Sequence, residues 1–131
     1  MFSVHAHVFC HSQEGYDAAG LTQRHSEALR WGTDYFIGCH TADHELVGQI
    51  GDGYADHAEW DSPENMHMAR PAFSITTAGP GSDLAGETAA ALASSAIWFR
   101  QLGEADYAEQ CLQHARTLFK FADEYRGTEY F

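Results

Sequence analysis

Positive charge is scarce in this chain. Lys and Arg together number 7 in 131 residues, against 19 Asp and Glu, which gives a formal net charge of −12. A surface that acidic repels both nucleic-acid phosphates and anionic lipid head groups. We therefore expect no nucleic-acid or membrane partner, whereas a neutral substrate such as a sugar polymer is compatible with the charge.

Cysteine and long apolar segments are also scarce. The three cysteines, Cys10, Cys39 and Cys111, are odd in number and far apart, so they predict no disulfide framework. The longest nearly apolar run, residues 89–99, is shorter than the about 20 residues that span a bilayer. The N-terminus also lacks the basic start and long apolar run of a signal peptide. What is present, 44% apolar and 13% aromatic residues, is enough for a folded core.

The first residues contain an H-x-H-x-x-C-H run, formed by His5, His7, Cys10 and His11. Histidines two apart on a strand point to one face, as metal ligands often must. One interpretation is therefore a metal-binding protein. The alternative is a surface segment in which histidines are simply frequent.

Three segments have helical periodicity, at 21–39, 82–102 and 105–126. Gly103 separates the last two, which predicts an antiparallel helical hairpin. Ser82 is expected to cap the start of its helix. The apolar stripe predicted for the last helix comprises Tyr107, Cys111, Ala115, Leu118, Phe119, Ala122 and Tyr125.

Between the helices, residues 46–50 and 72–77 are rich in apolar and β-branched types and are expected to pair as a small β-hairpin. Residues 51–81 have no long periodic segment, and Pro63 and Pro71 oppose a helix there. The fold predicted is mainly all-α, with three to four helices and a long loop carrying the hairpin.

The stretch from Val47 to Trp60 has three glycines within residues 48–53, followed by acids, a histidine and a tryptophan. Glycine is unfavourable inside helices, so we expect a shaped loop. Its carboxylates leave three interpretations open: a glycosidase acid pair, a calcium site, or side chains that cap turns of the loop itself. Asp52 and Asp56 best fit the turn-capping interpretation, and His57 and Trp60 best fit contact with a sugar.

Four blocks of sequence, together with the C-terminal stretch, resemble the glycoside hydrolase family 9 cellulases and occur in the same order. They read WGTDYFI at 31–37, VGQIGDGYADH at 47–57, MARPAF at 68–73 and PGSDLAGETAAA at 80–91. The similarity covers about residues 25–127, while residues 1–14 match poorly. The resemblance implies that 1–131 is a partial catalytic domain, an internal piece of an (α/α)6 barrel. It also implies that the full enzyme hydrolyses β-1,4-glucan with inversion and acts outside the cell.

The resemblance also implies roles for individual residues. It places His57 and Trp60 along the sugar cleft. It gives Asp52, Asp56 and Arg70 a structural role, that of loop architecture. The family usually carries Asp where this chain has Tyr54.

The family's catalytic base lies in an Asp-Ala-Gly-Asp block and its proton donor is a Glu near the far C-terminus. Neither block occurs here, so no acid of this chain is assigned to catalysis and this piece alone is expected to be inactive. No cofactor is expected in this chain, although a calcium elsewhere in a full enzyme is compatible with the family. A non-catalytic carbohydrate-binding remnant is the alternative function.

Overall fold

The computed structural model describes residues 13–128. Its five α-helices are α1 Gln13–Ala19, α2 Thr22–Cys39, α3 Gly53–Ala58, α4 Ser82–Gln101 and α5 Ala105–Glu124. Its three strands are β1 His40–Ala42, β2 Glu45–Ile50 and β3 Ala72–Ile75, and a 3-10 turn covers Pro63–Asn65. The mainly helical fold predicted from the sequence is thus confirmed.

Helices α4 and α5 form the antiparallel hairpin that the sequence predicts. Gly103 makes the reversal with a φ of +83°, a left-handed conformation that favours glycine. The small side chains of α4 let α5 approach closely on one face. The facing buried residues are Ala85, Ala89, Leu92, Ala96 and Phe99 of α4, and Ala108, Cys111, Ala115, Leu118 and Phe121 of α5.

The prediction that Phe119 belongs to the buried stripe of α5 is wrong. Phe121 is buried instead, and Phe119 is 65% exposed. The two positions are about 200° apart around the helix, so they cannot share one face. Phe119 lies beside an apolar groove of about 390 Å³ between α4 and α5.

Helix α2 packs on the hairpin through one large aromatic residue. Trp98 of α4 is fully buried, and its indole N–H donates to Ser26 Oγ at 3.0 Å. At the other end of the contact, the Arg30 guanidinium stacks on the rings of Tyr107 and Phe99 and forms an ion pair with Glu104. These contacts fix α2 against both helices of the hairpin.

The strands form one antiparallel sheet in the order β1-β2-β3. Leu46 of β2 is paired with Ile75 of β3, and both side chains are buried in the helical core. The predicted pairing of 46–50 with the segment after residue 71 is therefore confirmed. Strand β1 was not predicted, because a three-residue strand after a helix has too few residues to show a period.

Two local predictions need correction. The segment after Ile50 is not purely a loop, since Gly53–Ala58 forms the helix α3. Ser82 does not cap α4; its hydroxyl donates to the carbonyl of Gly127 at 2.9 Å and accepts from the N–H of Gly127 at 3.2 Å. Ser82 therefore joins the start of α4 to the chain that leaves α5. Within residues 13–128, none of the helices is long and apolar enough to cross a membrane.

Candidate functional site

The segment between β2 and β3 begins with a sharp change of direction at Gly51. Its φ is +88°, and its N–H donates to the carbonyl of Pro71 at 2.7 Å, just beyond the paired strands. Asp52 follows in an extended conformation, and its Oδ1 accepts from the N–H of Ala55 at 2.9 Å. This N-cap explains why a glycine-rich segment starts a helix, because it satisfies a backbone donor that the first turn leaves free.

Arg70, which lies just before β3, contacts the same segment at two points. Its guanidinium forms an ion pair with Asp56 of α3 and donates to the carbonyl of Ile50 at 3.2 Å. A Cβ added to Gly51 would lie 2.5 Å from Arg70 Cζ. Arg70 therefore packs directly over the glycine backbone and connects α3 to the end of β2.

A cleft of about 370 Å³ opens between α3 and the sheet. This volume lies at the lower end of the range for small-ligand sites, about 300–1,000 Å³. The cleft is lined by Gln49, Asp52, Gly53, Tyr54, His57 and Phe73. The candidate residue His57 thus lies in a concavity, on the same side of α3 as Tyr54.

Trp60, the other candidate, lies just beyond α3 and does not line this cleft. Its relative exposure is 103% and that of Tyr54 is 91%. Two rings this exposed offer nearly their whole apolar surface to solvent. The site thus combines a cleft with polar groups and two separate aromatic faces, an arrangement suited to a ligand with hydroxyls and apolar C–H faces.

The acids of the segment mostly bond to the protein itself. Asp52 caps α3 and Asp56 pairs with Arg70. Asp61 accepts from the Asn65 side chain and from the N–H of Ser62, and these bonds lower the pKa of its carboxyl below the usual range. A general acid needs a raised pKa, so these contacts favour a structural use of the carboxylates over proton transfer.

Sequence reasoning missed two residues of the cleft, Gln49 and Phe73. They are paired across β2 and β3 in the register of the sheet. The strand period of two could not have placed this pair, because the register shift between Val47 and Gln49 interrupts it.

A second polar cluster, also missed, joins β1 to α5. His40 Nδ1 and His114 Nδ1 are 2.8 Å apart, and the two rings meet edge to face. Burial, together with the neighbouring charge of His114, lowers the pKa of His40. No sequence signal connects two histidines 74 residues apart.

The run proposed as a metal site, His5, His7, Cys10 and His11, lies outside the described residues. Among residues 13–128, no group of three or more His, Cys, Asp or Glu side chains is arranged to hold a metal ion.

Residues 6–131 match the model of glycosyl hydrolase family 9. Endoglucanase 16 of Oryza sativa subsp. japonica is 50% identical over 110 residues, which cover 84% of this chain and 20% of that protein. Endoglucanase A of Bacillus pumilus is 46% identical over 115 residues, 88% of this chain and 17% of that protein.

Solved structures of cellulases match the chain as well. The endoglucanase of the termite Nasutitermes takasagoensis matches 97% of this chain with a TM-score of 0.90 and 50% identity, over 29% of its own chain. The cellulase Cel9M of C. cellulolyticum, solved in complex with cellobiose, matches 99% with a TM-score of 0.90 and 28% identity, over 30% of its chain. These similarities confirm the predicted fold class, part of an (α/α)6 barrel.

The chain spans about a fifth of the length of these curated relatives and less than a third of the solved structures.

Proposed function

Because this chain belongs to glycosyl hydrolase family 9, we propose that it forms part of a cellulase catalytic domain, covering 1–131, and supplies one wall of its substrate cleft. The substrate is a β-1,4-glucan such as cellulose, whose internal glycosidic bonds the whole enzyme hydrolyses with inversion. The observation that carries the proposal is the exposed Trp60 beside a cleft that His57 lines.

In this proposal His57 and Trp60 contact the sugar. The indole of Trp60 offers a flat apolar face for the C–H groups of a glucosyl ring, and the imidazole of His57 exchanges hydrogen bonds with hydroxyls. A net charge of −12 does not oppose a neutral polymer. Since an insoluble polysaccharide lies outside the cell, we place the enzyme there as well.

The remaining polar residues position the wall. Asp52 caps α3, and Arg70 ties Asp56 to the end of β2. With these carboxylates already bonded inside the segment, we assign the reacting acid and base to none of the residues of this chain.

The experiment is cello-oligosaccharide binding by the chain, measured by calorimetry and by retention on cellulose. We expect Trp60→Ala to weaken binding about tenfold, which corresponds to about 1.4 kcal/mol, and His57→Ala to weaken it by a similar or smaller factor.

The matched control is Trp31→Ala, because Trp31 is also strongly exposed, at 77%, but lies on α2. Its affinity is expected to equal that of the unmodified chain. Absence of binding by the unmodified chain, or equal losses for the Trp31 and Trp60 variants, would overturn the proposal.

A further inference from the structure

Tyr54 is a large aromatic residue that packs little against the described residues, 13–128. Its relative exposure is 91%, although it lies in a structured segment, two residues after the Asp52 N-cap of α3. Burying a tyrosine ring stabilises a fold, and a ring as exposed as that of Tyr54 contributes little of this stabilisation. Within residues 13–128, burial of the Tyr54 ring therefore contributes little to the stability of this segment.

The position itself is well held. The Asp52 cap fixes the first turn of α3, and Arg70 fixes α3 to β2. Tyr54 and His57 are three residues apart on this helix, so their side chains lie on neighbouring positions of one face. Both line the cleft, together with Gln49 and Phe73 from the sheet. The ring of Tyr54 is thus presented to the cleft from a rigid base, which reduces the entropy lost on binding.

The exposed rings of Tyr54 and Trp60 are two separate stacking surfaces. Since Tyr54 is 91% and Trp60 is 103% exposed, neither ring covers the other. Two separately exposed rings can each stack on a different unit of a polysaccharide chain. The residues that line the cleft include no Lys, Arg or Glu, and the Oδ1 of their one Asp, Asp52, already accepts a backbone hydrogen bond. The cleft therefore favours a neutral, hydroxyl-rich chain.

We propose that Tyr54 determines substrate length and subsite preference in this cleft by stacking on a glucosyl unit other than the one that contacts Trp60. This inference rests on the proposed function, since it assigns a further contact to the same glucan chain.

The test measures the affinity of the chain for cello-oligosaccharides of increasing length, from two to six glucosyl units, by calorimetry. In the unmodified chain, affinity rises when the ligand becomes long enough to reach both rings. Tyr54→Ala is expected to remove that rise, a loss of about five- to tenfold for the longer ligands, with the shortest ligands unaffected. Tyr54→Phe is expected to keep the rise, because stacking needs the ring and not the hydroxyl.

The matched control is Tyr35→Ala, since Tyr35 is a 56% exposed tyrosine on α2. If Trp60→Ala weakens binding but Tyr54→Ala matches the unmodified chain at every length, the role of Tyr54 is overturned and the proposed function stands. Equal loss at every length, or loss of the rise in Tyr54→Phe, also overturns the separate stacking role. If the unmodified chain binds no cello-oligosaccharide, both proposals fall.

Discussion

Replacing Gly51 by alanine tests how the cleft wall is held together. Gly51 has a φ of +88°, which alanine adopts only with strain. The added Cβ would also lie 2.5 Å from Arg70 Cζ and 2.8 Å from both terminal nitrogens of that side chain. The substitution therefore combines a backbone cost with the displacement of a guanidinium.

The two costs can be estimated separately. The left-handed backbone costs about 1–2 kcal/mol for a residue with a Cβ. Displacing Arg70 removes its hydrogen bond to the carbonyl of Ile50, worth about 1 kcal/mol. It also removes the ion pair with Asp56; these side chains are 49% and 31% exposed, so solvent screening limits the pair to about 0.5 kcal/mol. We expect Gly51→Ala to lower the free energy of unfolding by about 2–4 kcal/mol.

A double-mutant cycle separates the two costs. Urea unfolding is measured for the unmodified chain, Gly51→Ala, Arg70→Ala and the double variant. In the Arg70→Ala background the glycine substitution should cost only the backbone strain, about 1–2 kcal/mol. The matched control is Gly103→Ala, whose φ of +83° is similar but whose Cβ would meet nothing within 4 Å.

The close approach of Arg70 to Gly51 would be refuted by either of two results. One is a Gly51→Ala cost that is the same with and without Arg70. The other is a cost no larger than that of Gly103→Ala.

Three further predictions concern the core and the histidine pair. Ile75→Ala should lower the free energy of unfolding by about 2–5 kcal/mol in urea, because Ile75 is fully buried; a loss below 1 kcal/mol would contradict its place in the core. Trp98→Phe should lower the free energy of unfolding by about 1–3 kcal/mol, through a cavity and the lost bond to Ser26, and an unchanged melting temperature would contradict this. The lowered pKa of His40 means that the unfolded chain binds its proton more readily, so stability should fall as pH drops below about 6.5. His40→Asn should flatten this part of the profile of unfolding midpoint against pH; equal slopes in both proteins would contradict the lowered pKa of the buried His40.

Local patterns were enough to predict most of the fold. The stripe of α4, from Ala85 to Phe99, is buried as predicted, because each helical turn repeats the same apolar position. The β2–β3 pairing also follows from local composition. Phe119 shows the limit, since two phenylalanines two residues apart compete for one face and only the packed structure selects Phe121.

Helix α3 was predicted as a loop because glycine usually weakens a helix. In the structure the glycines lie at the edge of the helix, with Gly51 before the cap and Gly53 at the first position. The side chain of Asp52 satisfies the free N–H of Ala55, and this local bond outweighs the low helix propensity. A six-residue helix is too short to show a period, so only the cap could have predicted it.

The candidate site was less accessible to sequence reasoning because its contacts connect distant segments. His57 and Trp60 were proposed from the residue types of the loop and again from the family resemblance, and their sugar contact stays a prediction. Arg70 contacts Asp56, 14 residues away in the sequence, and His40 contacts His114, 74 residues away. At such sequence separations no pattern in a single sequence indicates a contact.

The register of β2 and β3 connects the core to the cleft. At one end, the Leu46–Ile75 pair is buried among the helices; three residues along β2, the Gln49–Phe73 pair lines the cleft. The register shift between Val47 and Gln49 lies between these two ends. A bulge of this kind changes the direction of the side chains that follow it, so the same two strands can face the core at one end and the cleft at the other. Since the buried pair and the cleft pair belong to the same two strands, core substitutions near Ile75 should alter the proposed glucan binding as well as stability.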